Sequence, residues 1–306
     1  MAKRRAKRTD RRARRPTPPG PSRRRRRPWL WGAALVGVLA AIVAARHLTR
    51  DATAIDRGAA GKAGDADGVD PGPGKAKPVE RLRVRVIERY PHQRDAFTQG
   101  LVWDDGALYE STGLTGHSSL RLVELETGEV LRRREDEPRL FAEGLAVVGD
   151  LLYQITWRDR RALVFRRGDF APVREHRYEG EGWGLCHDGK NLAMSDGSDR
   201  LVFRDPATFE VRRTVTVTLE GKPVAQLNEL ECADGAVWAN VWQTQVIVRV
   251  DPRDGRVTAV VDASGLLTAE ERAEADVLNG IAWMPEKDHF LITGKYWPWL
   301  FEVVFE

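Results

Sequence analysis

One five-residue stretch, Phe141-Ala142-Glu143-Gly144-Leu145, recurs in altered form four more times along the chain. The recurrences are Phe97-Thr98-Gln99-Gly100-Leu101, Gly182-Trp183-Gly184-Leu185, Asn228-Glu229-Leu230-Glu231 and Leu278-Asn279-Gly280-Ile281. Aligned on Gln99, Glu143, Trp183, Glu229 and Asn279, they are spaced by 44, 40, 46 and 50 residues. A period near this length, filled with short strands, is the signature of propeller blades. The expected fold is therefore all-β, a five-bladed β-propeller.

The local chemistry inside each repeat agrees. An apolar strand opens it and turns through Asp105-Gly106, Gly149-Asp150, Asp188-Gly189 or Asp234-Gly235, residues that tolerate the positive φ of hairpin turns. A second strand follows, as in residues 107–110, 151–155 and 236–241, and a third after a variable loop, as in 120–125, 162–167, 201–204, 246–250 and 300–305. Turn residues return at Thr127-Gly128, Gly168-Asp169, Asp205-Pro206 and Asp254-Gly255, ahead of an Arg-rich fourth strand such as 130–134 or 211–217. The last repeat reaches Glu306 with three strands only. The alternating segment 82–86 upstream can supply the fourth and close the ring, which removes exposed sheet edges. The pattern Thr268-Ala269-Glu270-Glu271 is a capping box, so a short helix is expected over 268–275, in the loop that lengthens the last spacing.

Charge divides the chain. Residues 1–28 hold fourteen Lys and Arg against Asp10 alone, net +13, so the formal +4 of the whole leaves −9 for everything after. An Arg-rich arm alone would suggest nucleic acid, but the segment that follows argues against such a partner. Residues 29–45 are uncharged, near the lower length limit for crossing a bilayer, with Trp29 and Trp31 at one end. The positive flank retains the cytoplasmic side, so the rest of the chain is expected on the periplasmic or extracytoplasmic side. Residues 46–80, rich in Gly, Ala and Asp, read as a flexible linker that lifts a catalytic domain, 81–306, off the membrane. The linker favours an uncleaved anchor over a signal peptide cut near Val43-Ala44-Ala45, which would make the domain secreted.

The two cysteines exclude a disulfide scaffold and form no Cys-x-x-Cys pair. Cys186 and Cys232 occupy equivalent positions of adjacent repeats. Neighbouring inner strands are expected to splay by more than most disulfides span, which favours two buried thiols. The six histidines show no ligand spacing for zinc, and there is no Gly-x-Ser-x-Gly elbow or phosphate loop.

In a propeller the first strands line a central channel, so Gln99, Glu143, Trp183, Glu229 and Asn279 are expected to converge there. A structural ring would repeat one small or apolar residue, whereas these differ, which marks a site. Trp157, Asn240, Trp242, Lys295 and Trp297 stand at the ends of second strands or in the loops beyond. A single Trp is as readily core packing, but several near one channel mouth form an aromatic cage. Glu143 lies in an apolar stretch, where desolvation would raise its pKa towards values useful for moving protons.

Phe97-Thr98-Gln99-Gly100-Leu101, Glu143-Gly144-Leu145, Thr156-Trp157, Gly182-Trp183-Gly184, Leu227-Asn228-Glu229-Leu230-Glu231, Trp238-Ala239-Asn240-Val241-Trp242, Leu278-Asn279-Gly280-Ile281-Ala282-Trp283 and Thr293-Gly294-Lys295-Tyr296-Trp297-Pro298 together resemble the plant and bacterial type of glutaminyl-peptide cyclotransferase. The resemblance covers roughly residues 83–306 and implies a five-bladed propeller that cyclises N-terminal glutaminyl residues of peptides or proteins to pyroglutamyl, releasing ammonia, with no metal or other cofactor. It makes Glu143 the acid/base residue and places Phe97, Gln99, Trp157, Trp183, Asn228, Trp242 and Lys295 around the substrate. Asn228, Lys295 or an indole N–H would stabilise the oxyanion, and Gln99 and Asn228 would pair the substrate amide. Two other classes fit the repeats less well: a non-catalytic binding propeller, which has no need of Glu143, and a calcium-dependent lactonase-like propeller using Glu143, Asn228 and Asn279, for which the ring is short of carboxylates.

Overall fold

The computed structural model describes residues 77–306. The basic tail, the apolar segment 29–45 and most of the linker lie outside the described residues. Among the described residues no helix is long and apolar enough to cross a membrane.

The described chain is all-β. Strand β1 (Glu80–Pro91) is followed by the four-stranded antiparallel sheet β2 (Thr98–Asp104), β3 (Ala107–Thr112), β4 (Ser119–Val123), β5 (Val130–Glu135). The same order repeats in β6 (Ala142–Val148), β7 (Leu151–Thr156), β8 (Arg161–Arg166), β9 (Pro172–Arg177), and in β10 (Leu185–His187), β11 (Leu192–Ser195), β12 (Arg200–Arg204), β13 (Val211–Thr216). A small hairpin, β14 (Thr218–Leu219) with β15 (Lys222–Pro223), precedes β16 (Leu227–Ala233), β17 (Ala236–Val241), β18 (Val246–Val250) and β19 (Val257–Asp262). The last strands are β20 (Leu278–Met284), β21 (His289–Gly294) and β22 (Trp299–Phe305).

The expected closing strand is present and does more than complete one sheet. From Val84 to Pro91, β1 pairs antiparallel with β22, while Glu80 to Arg83 pair parallel with β19. One strand thus welds the last two groups into an eight-stranded sheet. The capping box is also real: helix α1 (Ala269–Glu274) starts at Thr268, whose side chain accepts from the Glu271 backbone N–H while the Glu271 carboxylate accepts from the Thr268 N–H.

Each successive pair of sheets encloses an apolar cluster. Tyr109 and Leu120 meet Leu145, Leu152 and Phe165; Tyr153 and Val164 meet Leu185 and Leu192; Leu201 and Phe203 meet Leu230 and Val237. Trp238 and Ile247 meet Ile281 and Phe290, and Leu101 and Leu108 meet Ala282 and Leu291. The first strands also lie against one another in the cyclic order β2, β6, β10, β16, β20 and back to β2.

Glycine sets how closely they lie. A Cβ on Gly100 would come within 2.5 Å of the Leu145 amide nitrogen in the next first strand. On Gly144 it would meet the Leu185 amide, and on Gly184 the Asn228 carbonyl, closer still. The glycine of the recurrent motif is therefore the contact point between first strands, and any side chain there collides with backbone. This close approach corrects the expectation of two free thiols: Cys186 on β10 and Cys232 on β16 are disulfide-bonded, Cα to Cα 5.4 Å, within the span such bonds require.

Two measurements test this construction. In urea unfolding, Gly184→Ala should cost roughly 3 kcal/mol, at the upper end of overpacking because backbone cannot move aside, whereas Gly168→Ala, in open space, should be near neutral. Replacing Cys186 and Cys232 together by Ser should cost about 4 kcal/mol, since the bond closes a loop with a sequence separation of 46 residues.

Candidate active site

The site residues project from irregularities in the first strands. In β2 the register against β3 slips so that Gln99 has no residue opposite it. In β6, Glu143 and Gly144 together face one residue of β7; Asn228 and Glu229 do the same in β16, and Asn279 and Gly280 in β20. An extra residue in one strand bends it and re-aims its side chain, here towards the cyclic junction. Hydroxyls then fix the displaced backbone. Ser111 Oγ donates to the Glu143 carbonyl at 2.6 Å and itself accepts from Gln154 Nε2 at 3.0 Å. Ser195 Oγ donates to the Asn228 carbonyl at 2.7 Å.

Glu143 is 5% exposed. Burial raises its pKa well above the ordinary carboxylate range, the nearby Lys295 pulls it down, and Glu181 pushes it up. Lys295 is buried to the same degree; desolvation lowers its pKa, while Glu143 and Asp276 oppose that shift. The two groups form an opposed buried pair, each driven towards its neutral form and each stabilising the other's charge. Lys295 Nζ also stands 4.5 Å from the centre of the Phe97 ring, a cation–π contact.

A series of aromatic rings starts at Phe97, beside Lys295. Phe97 meets Phe141 edge-on at 6.0 Å and Tyr296 at 5.3 Å; Phe141 meets Trp157 at 5.5 Å; Trp183 meets Trp242 at 5.4 Å. The rings come from different sheets but from matching positions. The backbone N–H groups of Gly113, Trp157 and Lys295, each just past a second strand, donate to the carbonyls of Phe97, Phe141 and Val277. Where the first repeat has Gly113, a Cβ would lie 2.6 Å from the Phe141 ring, so glycine there leaves room for the aromatic wall. The segment carrying Lys295 is tied down by the Tyr296 N–H, which donates to the Ala96 carbonyl at 2.7 Å.

Of the residues singled out from sequence, Glu143, Lys295, Phe97 and the three indoles of Trp157, Trp183 and Trp242 fall into this aromatic and charged group. Asn228 is buried, and its carboxamide oxygen has no partner among the described residues. Gln99 is partly committed: its Oε1 accepts from Asn279 Nδ2 at 3.1 Å, which leaves its NH2 as the group available to a ligand. Glu229 is fully buried and structural. One oxygen accepts from the Leu101 N–H at 3.2 Å and the other from the Ile281 N–H at 2.8 Å, bridging β2 and β20. It does so in the repeat where Leu230 replaces the motif glycine. Trp297 belongs to the frame, its indole donating to the Asp276 carbonyl.

The idea that any of the indole N–H groups could serve an oxyanion is narrowed. Trp157 Nε1 and Trp183 Nε1 both donate to Glu181 Oε2, at 2.7 and 3.1 Å. Glu181, Phe141 and Tyr296 were not among the residues expected to form the site. Phe141 had a signal, since it matches Phe97 in the recurrent motif; Glu181 stands at that same position in its own repeat.

Comparison with known proteins gives the same direction. Residues 61–305 match the family model described as glutamine cyclotransferase. The chain is 40% identical to the glutaminyl-peptide cyclotransferase of Arabidopsis thaliana over 226 residues, 72% of this chain and 70% of that one. A crystal structure of Myxococcus xanthus glutaminyl cyclase matches with TM-score 0.69 and 40% identity, covering 75% of this chain and 99% of that one. The chain belongs to the glutamine cyclotransferase family.

Proposed function

We propose that the protein is a glutaminyl-peptide cyclotransferase, converting N-terminal glutaminyl residues to pyroglutamyl with release of ammonia, and that Glu143 is its proton carrier. The observation that carries this reading is a buried carboxylate within electrostatic reach of a buried lysine that packs on an aromatic ring, in a member of this family. We read the fold as a five-bladed propeller, supported by the cyclic order of the first strands and the apolar cluster between each successive pair of sheets.

The chemistry follows from the groups present. The substrate's α-amine attacks its own side-chain carboxamide carbon; a C–N bond forms, the bond to the amide nitrogen breaks, and the ring closes. Glu143 takes a proton from the amine and returns it to the leaving nitrogen, so one carboxyl group ends the cycle as it began. A raised pKa suits both halves, a stronger base first and a usable acid afterwards. Lys295, the NH2 of Asn228 and the Trp242 N–H, which has no partner among the described residues, would serve the developing oxyanion. Because the attack is intramolecular, a pocket that holds the side chain curled supplies much of the rate.

The anchor on residues 29–45 and an extracytoplasmic domain remain part of this proposal. The Arg-rich flank supports them, as does the Cys186–Cys232 bond, which suits an oxidising compartment.

Ammonia release from a glutaminyl dipeptide tests the assignment of Glu143. Glu143→Gln should lower kcat by about 10²- to 10⁴-fold, the usual worth of acid–base catalysis, with its circular dichroism unchanged; turnover near the wild-type rate would refute the role. The pH profile gives an independent sign. Activity requires ionised Glu143, so it is lost as pH falls through a pKa that burial has raised. Lys295 holds that pKa down, so Lys295→Met should move the acid limb of kcat/KM to higher pH.

A further inference from the structure

The residue two places before the aligned site position is Phe97, Phe141, Glu181, Leu227 and Val277 in the five repeats. Four are apolar and one is a carboxylate. Its surroundings explain the exception. Trp157 follows β7 in one sheet and Trp183 precedes β10 in the next, and Glu181 lies on the connection between those sheets. A single oxygen, Oε2, accepts both indole N–H groups, while Oε1 accepts from Arg158 Nε at 2.9 Å. The Arg158 guanidinium stacks over the Trp157 ring at 3.8 Å. Behind Trp183, Gly197 lets the backbone come so near that a Cβ would lie 2.6 Å from the indole ring.

We propose that Glu181 is a positioning residue for the cyclisation: by taking two indoles on one oxygen, it fixes the separation and tilt of the Trp157 and Trp183 faces that hold the glutaminyl side chain curled. The inference rests on the cyclotransferase reading above. Partial burial opposes the charge on Glu181, but its bonds from Trp183, Arg158 and Trp157 outweigh that and keep its carboxyl below the ordinary range. Both N–H groups are turned away from the substrate, which then meets ring faces rather than donors. Released indole N–H groups would compete for the substrate's carboxamide oxygen and hold it in poses that cannot react.

Geometry can be separated from charge with two conservative variants. Glu181→Gln loses the charge but keeps an oxygen for both indoles, and Arg158, largely exposed, can swing away from the new amide. Glu181→Asp keeps the charge but is one methylene too short to reach both. The expected order of kcat is wild type, then Glu181→Gln within about 3-fold, then Glu181→Asp lower by roughly 10- to 100-fold, the scale of a misplacement near 1 Å. KM should change by less than about 3-fold in both, since the loss is of reactive pose rather than of binding. Tryptophan emission should shift in Glu181→Asp and stay close to wild type in Glu181→Gln. The reverse order, equal losses in both variants, or no loss in either would overturn the proposal. Absence of turnover by the wild-type protein would instead sink the cyclotransferase reading, and the emission comparison would still decide whether Glu181 orients the indoles.

Discussion

The close approach of first strands at glycine is the constraint on which the other features depend. Gly100, Gly144 and Gly184 each bring one first strand against the backbone of the next, nearer than any side chain allows. Contact at that distance lets the Gly144 N–H donate directly to the Trp183 carbonyl at 2.8 Å and lets Cys186 reach Cys232. Where Leu230 interrupts the series, Glu229 joins the neighbouring first strands with its carboxylate. In β2 and β6 the register also slips at this level, so the residue beside the glycine is re-aimed, and Glu143 becomes a buried acid instead of one more β-sheet side chain.

Burial and charge then act against each other at the site. Removing Glu143 and Lys295 from water costs each its charge, and their proximity returns part of that cost. A carboxylate in bulk water would be too weak a base to deprotonate an amine; one desolvated among Phe97, Phe141 and the indoles is stronger. In the proposed mechanism the aromatic wall has two duties, shaping the substrate and tuning the acid, and Glu181 joins them. It orients two indoles by hydrogen bonds and raises the Glu143 pKa through its own negative charge.

Much of this was legible in the sequence because it repeats. The spacing of the motif gave the strand order, the orphan segment 82–86 gave the antiparallel partner of β22, and Thr268 with Glu271 gave the helix start. Glu143, Lys295 and the three indoles could be named from their places in the repeat. What escaped depended on distances that a one-dimensional pattern does not carry. The motif glycine was visible, but the contact it permits was not, and so the disulfide was expected to be out of reach. Likewise β1 was read as completing one sheet, while its first four residues also pair with β19. Glu181 was hidden for a different reason: it is a departure from the repeat, and its meaning comes from two indoles that the chain delivers from separate sheets.

In the proposed reaction this site turns a glutaminyl α-amine on its own side chain. Mass spectrometry of a Gln-initiated peptide incubated with the protein, beside the same peptide with an acetylated N-terminus, tests it most directly. The first peptide should lose one ammonia and acquire a blocked N-terminus, and the second, whose nucleophile is masked, should not change. No mass loss in the free peptide, or an equal loss in both, would contradict it.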